Sequence, residues 1–427
     1  MNILVVSSMA WDDTNSIGNT FSNWFGGSEW EKDQIFHLYL RNQKPNNTVC
    51  RHYYHFSVFD LADPRKKKAD VGDAFSGDFS LSELDATSKK EGKLIGKFHE
   101  NPSEFVYYAI DQFYRHQKWK NEKLDRFIQE IHPDVVFLCV TDVSFLSPFV
   151  RYIRTVSDAG IVSYVPDDIY GQILNKPGYR RKKLAAEFQD VLEQSDLVLC
   201  ASDPLKERYS RLFHKQMGTI YKGCSIPDHW KEEAGNPFRL IYAGNLFYGR
   251  DQVILKLIDA IQRHNQKSNQ KFFLDICSSE SVPEELVSHL NCENISAFQG
   301  RLPYNEVTAM IHAADASVIP ESFEEENRLK TRYSFSTKIP ESIMSGTNIL
   351  AIGPGDISSM KFLSRLPFVY FCDDPQKIET MLDQISSDPE MIRKRKDALK
   401  YAEQNLEINA NRRKIHAQLE RVRGKKL

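Results

Sequence analysis

Short apolar runs alternate with amphipathic stretches along the whole chain. Ile3–Val6, Val135–Val140, Ile161–Val165 and Leu197–Cys200 are short blocks, apolar throughout except for Ser163, the pattern of strands buried on both faces. Residues 49–59 alternate in strand fashion, and residues 60–100 are polar, which predicts a surface excursion. Helical spacing follows at Phe105, Ile110, Phe113, Leu124, Phe127 and Ile131, until His132-Pro133-Asp134 breaks it. Another helix is expected over 181–194, and Ala201-Ser202-Asp203 caps the next. A long polar loop is expected from Ser7 to Trp24. After it, Gly26-Gly27 opens a helical pattern through Ile35, Leu38 and Leu40. The second half repeats this grammar, with strands expected at Leu240–Ala243, Phe272–Cys277, Ile295–Phe298, Ala316–Ile319, Ile349–Ile352 and Phe368–Phe371. A helical segment runs from Asp388 to the end, and we expect it to pack along the outside. Strand–helix alternation of this kind predicts an α/β protein of two Rossmann-like, doubly wound domains facing a cleft. The expected boundaries are 1–225 and 226–400, with residues 401–427 as the helical tail.

Within that grammar one stretch combines helix punctuation with chemistry. In Phe335–Gly346, Ser336 or Thr337 can cap a helix, Pro340 is tolerated only in its first turn, and Ile339 and Ile343 share a face. Gly346 suits the left-handed stop. The N-terminus of this helix would present free backbone N–H groups, two hydroxyls and Lys338 to an anionic phosphate. Glu341 lies one turn on, within reach of hydroxyls on the same ligand. The plain alternative is an ordinary helix–strand connection.

Length and composition narrow the class. A chain of 427 residues implies two domains, and a formal charge of −2 gives no global field for nucleic acid. Four consecutive aliphatics behind Met1-Asn2 are too few for a signal peptide or a spanning helix. Seven cysteines without metal-like spacing predict reduced thiols in a cytosol, with no metal. The basic run Arg65–Lys68 reads as a solvated loop, with contact to an anionic membrane as the sharper alternative. Trp24, Phe25 and Trp30 could likewise serve peripheral membrane contact, against the plainer expectation that they pack the fold.

Four strand ends of the second half carry special residues. Gly244 and Asn245 precede Arg250, Gly300-Arg301 follows the third strand, Pro320-Glu321 the fourth, and the 335–346 stretch precedes the fifth. Together Arg250, Lys338 and a helix N-terminus would neutralise a diphosphate, which carries about two negative charges. Glu341 would accept from sugar hydroxyls, as acidic residues do for ribose.

On these residues the second half resembles the nucleotide-sugar-binding domain of the family-four retaining glycosyltransferases of the GT-B fold. Tyr242–Leu246 with Arg250 is similar to the loop that supplies a basic pair. Phe298–Arg301 is similar to the Gly turn near the base, Ala313–Pro320 to an alanine–aspartate segment, and Tyr333–Glu341 to the Glu-x7-Glu motif. The first half is less similar, through Gly26–Glu29, Pro133–Val136, Ser195–Cys200 with Ser202, and Lys222-Gly223. The resemblance implies that Arg250 and Lys338 bind the donor diphosphate, that Glu341 holds the ribose, and that Gly26 and Gly27 approach the diphosphate. It adds Gly244, Asn245, Gly300, Arg301, Glu321, Ser336, Thr337 and Ile339 to the donor-binding set. Its departures are Asn245 for the first basic residue and Tyr333 for the first Glu, with Glu321 or one of Glu324–Glu326 as the replacement carboxylate. Asp167 and Asp168 stand where the acceptor-domain His is expected. They are either acids meeting sugar or acceptor, or a plain strand-end turn.

The activity implied is metal-independent transfer of a sugar, with retention, from a nucleotide-sugar co-substrate, UDP-linked, to a glycan or lipid-linked acceptor. No cofactor and no nucleic acid is expected, and the site is cytoplasmic or peripheral at the inner face of a membrane. The rival readings are a sugar-nucleotide epimerase, which would call for acid/base groups in the cleft, and a catalytically silent nucleotide-sugar-binding protein.

Overall fold

The computed structural model describes residues 1–427 apart from 78–103, 226, 228–230, 232, 279–281, 337 and 424–427. The chain divides into two compact units, Met1–Ile220 with Asn409–Leu427, and Tyr221–Ile408.

The first unit is built on eight strands: β1 Asn2–Ser7, β2 Gln34–Tyr39, β3 His52–His55, β4 Asp73–Ser76, β5 Val135–Cys139, β6 Gly160–Val165, β7 Leu197–Cys200 and β8 Gly218–Thr219. Their order is β4-β3-β2-β1-β5-β6-β7-β8, parallel except for the antiparallel edge strand β4. Every residue of β5 and β6 is buried, as expected of central strands covered on both faces.

Two expectations for this unit are corrected. The pattern through Ile35, Leu38 and Leu40 is not a helix but β2, paired in parallel with β1. Phe36, His37 and Tyr39 between those positions are buried too, so the run is covered on both faces, a condition whose spacing mimics a helix when only aliphatics are counted. The helix lies earlier, over Ser16–Phe25, inside the stretch expected to be a loop. Asn15 caps it by accepting from Gly18 N–H, and Phe21, Trp24 and Phe25 form its buried face. The pattern over 103–131 is two helices, Glu104–Arg115 and Glu122–Ile131, separated where Gln117 takes a positive φ and Asn121 caps the second. Of the expected surface excursion, residues 78–103 lie outside the described residues; the rest includes the helix Val58–Ala62 and β4.

The helical segment expected after Asp388 is also two helices, Met391–Asn405 and Ile408–Arg423. In the latter, Ile415, Leu419 and Val422 are buried in the same core cluster as Ile3, Val5 and Val135. At about 1.5–3 kcal/mol for each large aliphatic removed from water, this helix is an integral wall of the first unit.

The second unit holds β9 Phe238–Ala243, β10 Phe272–Cys277, β11 Ser296–Gly300, β12 Ala316–Pro320, β13 Asn348–Ile352 and β14 Val369–Cys372. Their order is β11-β10-β9-β12-β13-β14, and all pairs are parallel. The chain winds outward from β9 to β11 and then returns to wind the other way from β12. A topological switch point therefore falls between β9 and β12, where doubly wound sheets open a crevice at the carboxyl ends of their strands. The helix Lys338–Met344 forms as its sequence predicts, with Ile339 and Ile343 fully buried and Gly346 at φ 72° ending it.

Candidate functional site

The loop after β9 carries the first part of the site. Tyr248 and Gly249 both take positive φ, 59° and 73°, which swings the chain into the helix Arg250–Lys267. Gly249 is required twice over. Its left-handed backbone suits glycine, and a Cβ would stand 2.5 Å from Ser322 Oγ and 2.6 Å from Asn327 Nδ2. This turn fixes Arg250. Its guanidinium donates to Asn245 Oδ1 at 2.6 Å and to both oxygens of Glu321 at 3.0 and 3.2 Å. Glu321 follows β12, so the pair bridges the switch point. The Glu321 side chain is 3% exposed. Burial pushes its carboxyl above the ordinary range, and Arg250 pulls it back only part of the way.

Glu341 carries the second part. Its Oε1 accepts from Lys222 Nζ at 2.5 Å and its Oε2 from Lys338 Nζ at 2.9 Å. Burial raises this carboxyl, but the two ammonium groups outweigh burial and hold it below its ordinary value. A carboxylate has about four lone-pair directions, so two remain for hydroxyl donors. Lys338 and Glu341 line a small gap together with Ala243 and Ile319, which places them beside the ends of β9 and β12.

The remaining expected residues divide. Gly244 donates its N–H to Cys277 O at 3.0 Å at the same strand edge. Gly300 ends β11 at φ 64°, and Arg301 beyond it is exposed. Ser336 Oγ accepts from Lys338 N–H at 3.3 Å and Ser336 O from Ile339 N–H at 3.1 Å. Two N–H groups expected to be free at this helix start are therefore engaged. Ile339 is fully buried among Ile343, Ile349 and Ala398, so its side chain serves the core rather than a ligand. Thr337 lies outside the described residues.

In the first unit, Asp168 is occupied structurally. It caps the helix Ile169–Leu174 by accepting from Gly171 N–H at 3.1 Å, and it accepts from Tyr209 Oη at 2.8 Å. Asp167 accepts from Ile169 N–H through its backbone carbonyl at 2.7 Å. Gly26 and Gly27 follow the helix Ser16–Phe25 and lead into β2, against Arg412 of the last helix. They sit where the strands of this sheet begin, not at their carboxyl ends. The helix that the sequence suggested after these glycines is a single 3-10 turn, Ser28–Trp30, ahead of β2.

Sequence reading missed two sets of residues. Lys222 was noted only as part of a dipeptide; nothing in its neighbours says that it meets Glu341, 119 positions away. At the first unit's own switch point, between β1 and β5, Ser8 Oγ and Thr141 Oγ1 lie 3.2 Å apart. Burial pushes the carboxyl of adjacent Asp142 upward, against the pull of Arg41. Thr141-Asp142 after an apolar block was the available signal.

Among the described residues, no group of three or more His, Cys, Asp or Glu is placed to hold a metal ion. No described helix is long and apolar enough to cross a membrane. The side chains of Trp24, Phe25 and Trp30 are buried.

No family model matches the sequence, and no curated protein matches it. Solved structures do match. HepE of Anabaena, solved in complex with UDP, superposes with a TM-score of 0.62 at 13% identity over 98% of this chain and 100% of that one. A sucrose-phosphate synthase from Thermosynechococcus elongatus gives 0.60 at 13% identity, over 98% of both chains. A UDP-forming α,α-trehalose-phosphate synthase from Burkholderia xenovorans, in complex with glucose-6-phosphate, gives 0.61 at 10% identity over 98% and 99%. At such identities the likeness is one of architecture, and it runs the length of the chain: two Rossmann-like α/β domains, the GT-B fold of nucleotide-sugar-dependent glycosyltransferases.

Proposed function

We propose that this protein is a glycosyltransferase that takes a sugar from a UDP-linked donor and passes it, with retention of configuration, to a glycan or lipid-linked acceptor. The reading rests first on the charge arrangement at the carboxyl edge of the second sheet: Arg250 and Glu321 bridging the switch point, and Glu341 held between Lys222 and Lys338. Its fold, shared with structures that carry UDP in their crystals, supports the choice of nucleotide.

Arg250 and Lys338 bind the donor diphosphate in this scheme, and Glu341 accepts from the ribose hydroxyls with its two remaining lone-pair directions. As the bond from the sugar to the diphosphate breaks, negative charge grows on the leaving oxygen. Cations already turned from their carboxylates to the bound diphosphate stabilise that charge. The acceptor hydroxyl attacks from the face the diphosphate leaves, and its proton passes to a phosphate oxygen. Glu321, in place of the carboxylate that Tyr333 lacks, orients Arg250 and faces the sugar.

Calorimetric titration with UDP, GDP and ADP tests the donor site. Binding of UDP alone, weakened tenfold or more, about 1.4 kcal/mol, by Arg250→Ala and by Glu341→Ala, is the expected result. No binding of any of the three overturns it. Asn245 and Tyr333 depart from the family pattern, so a turnover screen with UDP-sugars is the separate test of catalysis. UDP binding without transfer would identify a silent sugar-nucleotide-binding protein.

A further inference from the structure

The helix Glu104–Arg115 buries a carboxylate while it leaves an aromatic residue in solvent. Its buried residues are Asp111 and Tyr114. Phe105 is 74% exposed, and Val106, Tyr107, Tyr108 and Ile110 are only half-buried. Tyr114 packs on Phe145, and ion pairs hold the start of the helix. Arg180 donates to Asp111 Oδ2 at 2.7 Å and to Glu104 Oε2 at 2.7 Å, and Lys176 to Glu104 Oε1 at 2.9 Å. Above these pairs runs an apolar strip. Phe105 and Tyr108, three residues apart, share a helix face, and the Tyr108 ring meets that of Tyr179 at 5.4 Å. Tyr179 is 56% exposed, and Leu174, which ends the preceding helix, is 41% exposed.

Next to the strip, Arg181, Lys182 and Lys183 are all exposed. Glu187, one turn on from Lys183, is held by Arg115 at 2.6 and 2.8 Å, and Glu104 and Asp111 are engaged with Arg180 and Lys176, so these acids leave the charge of the cationic run toward solvent. Exposed apolar area of this extent marks an interaction surface rather than a solvated face. The pairing of Phe and Tyr rings with a row of Lys and Arg fits one surroundings well. Amphipathic rings settle at the level of lipid headgroups, and the cations meet lipid phosphates.

We propose that this face of the first unit, Phe105, Tyr108, Leu174 and Tyr179 with Arg181, Lys182 and Lys183, docks the protein peripherally on an anionic lipid bilayer. It replaces Trp24, Phe25 and Trp30, which are buried, as the membrane-facing aromatics. The basic run Arg65–Lys68 is less suited, since Arg65 and Lys66 pair locally with Asp63 and Asp60. Under the sugar-transfer reading, on which this consequence alone rests, the acceptor is then lipid-borne.

The test is sedimentation of the full chain with vesicles of phosphatidylcholine alone and of phosphatidylcholine mixed with phosphatidylglycerol. Binding is expected only to the anionic vesicles, and it should weaken as salt is raised. Arg181→Gln, Lys182→Gln and Lys183→Gln combined should reduce it by on the order of a hundredfold, since each cation near such a surface contributes roughly fivefold. Phe105→Ser and Tyr179→Ser should each reduce it about tenfold, with the urea midpoint unchanged because both side chains are exposed. No binding to anionic vesicles overturns the proposal. So does equal binding to both kinds, or binding that neither set of variants alters, as a protein partner for this face would give. UDP titration of the same preparation keeps the two ideas apart: UDP binding without vesicle binding removes the docking surface and leaves the donor site standing, and the converse removes the donor site.

Discussion

The six-stranded sheet of the second unit has carboxylates paired with cations at both of its edges, and the partners differ in kind. At the amino edge, Asp315 precedes β12 and is fully buried. Its oxygens accept from Gly235 N–H at 3.1 Å, Arg239 N–H at 2.8 Å and Lys231 Nζ at 2.8 Å, and Arg395, also fully buried, donates to it and to its backbone carbonyl. At the carboxyl edge, Glu321 and Glu341 are held by the side chains of Arg250, Lys222 and Lys338. Backbone donors cannot leave without unravelling the fold, whereas long side-chain cations can rotate from a carboxylate to an incoming phosphate. The first edge is a closed knot joining the segment before β9, the sheet and the helix Met391–Asn405; the second is an exchangeable set.

That contrast fixes what each substitution should do. Asp315→Ala strands Arg395 in the interior, and removing one partner of a buried pair costs about 3–5 kcal/mol, so the urea midpoint should drop steeply. UDP affinity of the fraction still folded should not change, and a selective loss of affinity would erase the distinction between the edges. Glu341→Gln should act on the ligand as well: UDP affinity down tenfold or more, about 1.4 kcal/mol, with a urea midpoint lowered less than by Asp315→Ala because Lys338 is part-exposed and can turn to solvent.

Lys222→Met should weaken UDP by several-fold and also change how binding depends on pH. Glu341 sits below its ordinary value of 4.5 when folded, so its contribution to stability is complete above pH 4.5 and is lost as pH falls through the lowered value. Without Lys222 that value rises, and acid should abolish binding of uridine at a higher pH than in the parent; uridine keeps phosphate titration out of the measurement. Glu321 runs the opposite way. Its folded value is raised, so acid protonates it in the folded chain first, and the cost of burying its charge is relieved as pH falls. An identical acid limit for uridine binding in parent and Lys222→Met would show that Lys222 does not set the state of Glu341.

Asp168→Ala carries the comparison into the first unit and should have the smallest effect on the ligand. Losing the cap of Ile169–Leu174 and the acceptor of the buried Tyr209 hydroxyl costs about 1–3 kcal/mol in urea unfolding, and UDP affinity should stay as it was.

Much of the second unit was legible because its signals are local. Short, mostly apolar runs marked β10, β12 and β13 to within a residue or so, and Ser336, Pro340 and Gly346 punctuated the helix Lys338–Met344. In the first unit the same reasoning failed at β2, where burial on both faces leaves no period to read. It also left Asp168 undecided, because a carboxylate that caps a helix and one that faces a substrate look alike in sequence.

By itself, then, the sequence determined the α/β alternation, the stop at Gly346 and the residue types gathered near the strand ends, since propensity, capping and apolar period act over a few neighbours. Only the tertiary structure decided that Lys222 reaches Glu341, that Glu321 holds Arg250, that Gly26 and Gly27 sit where the strands begin, and that Phe105 of Glu104–Arg115 stands in solvent while Asp111 is buried. Each of these depends on the order in which strands join a sheet and on which face a helix turns inward. Those choices are settled by summed burial over residues far apart in the chain, a sum that no short window contains.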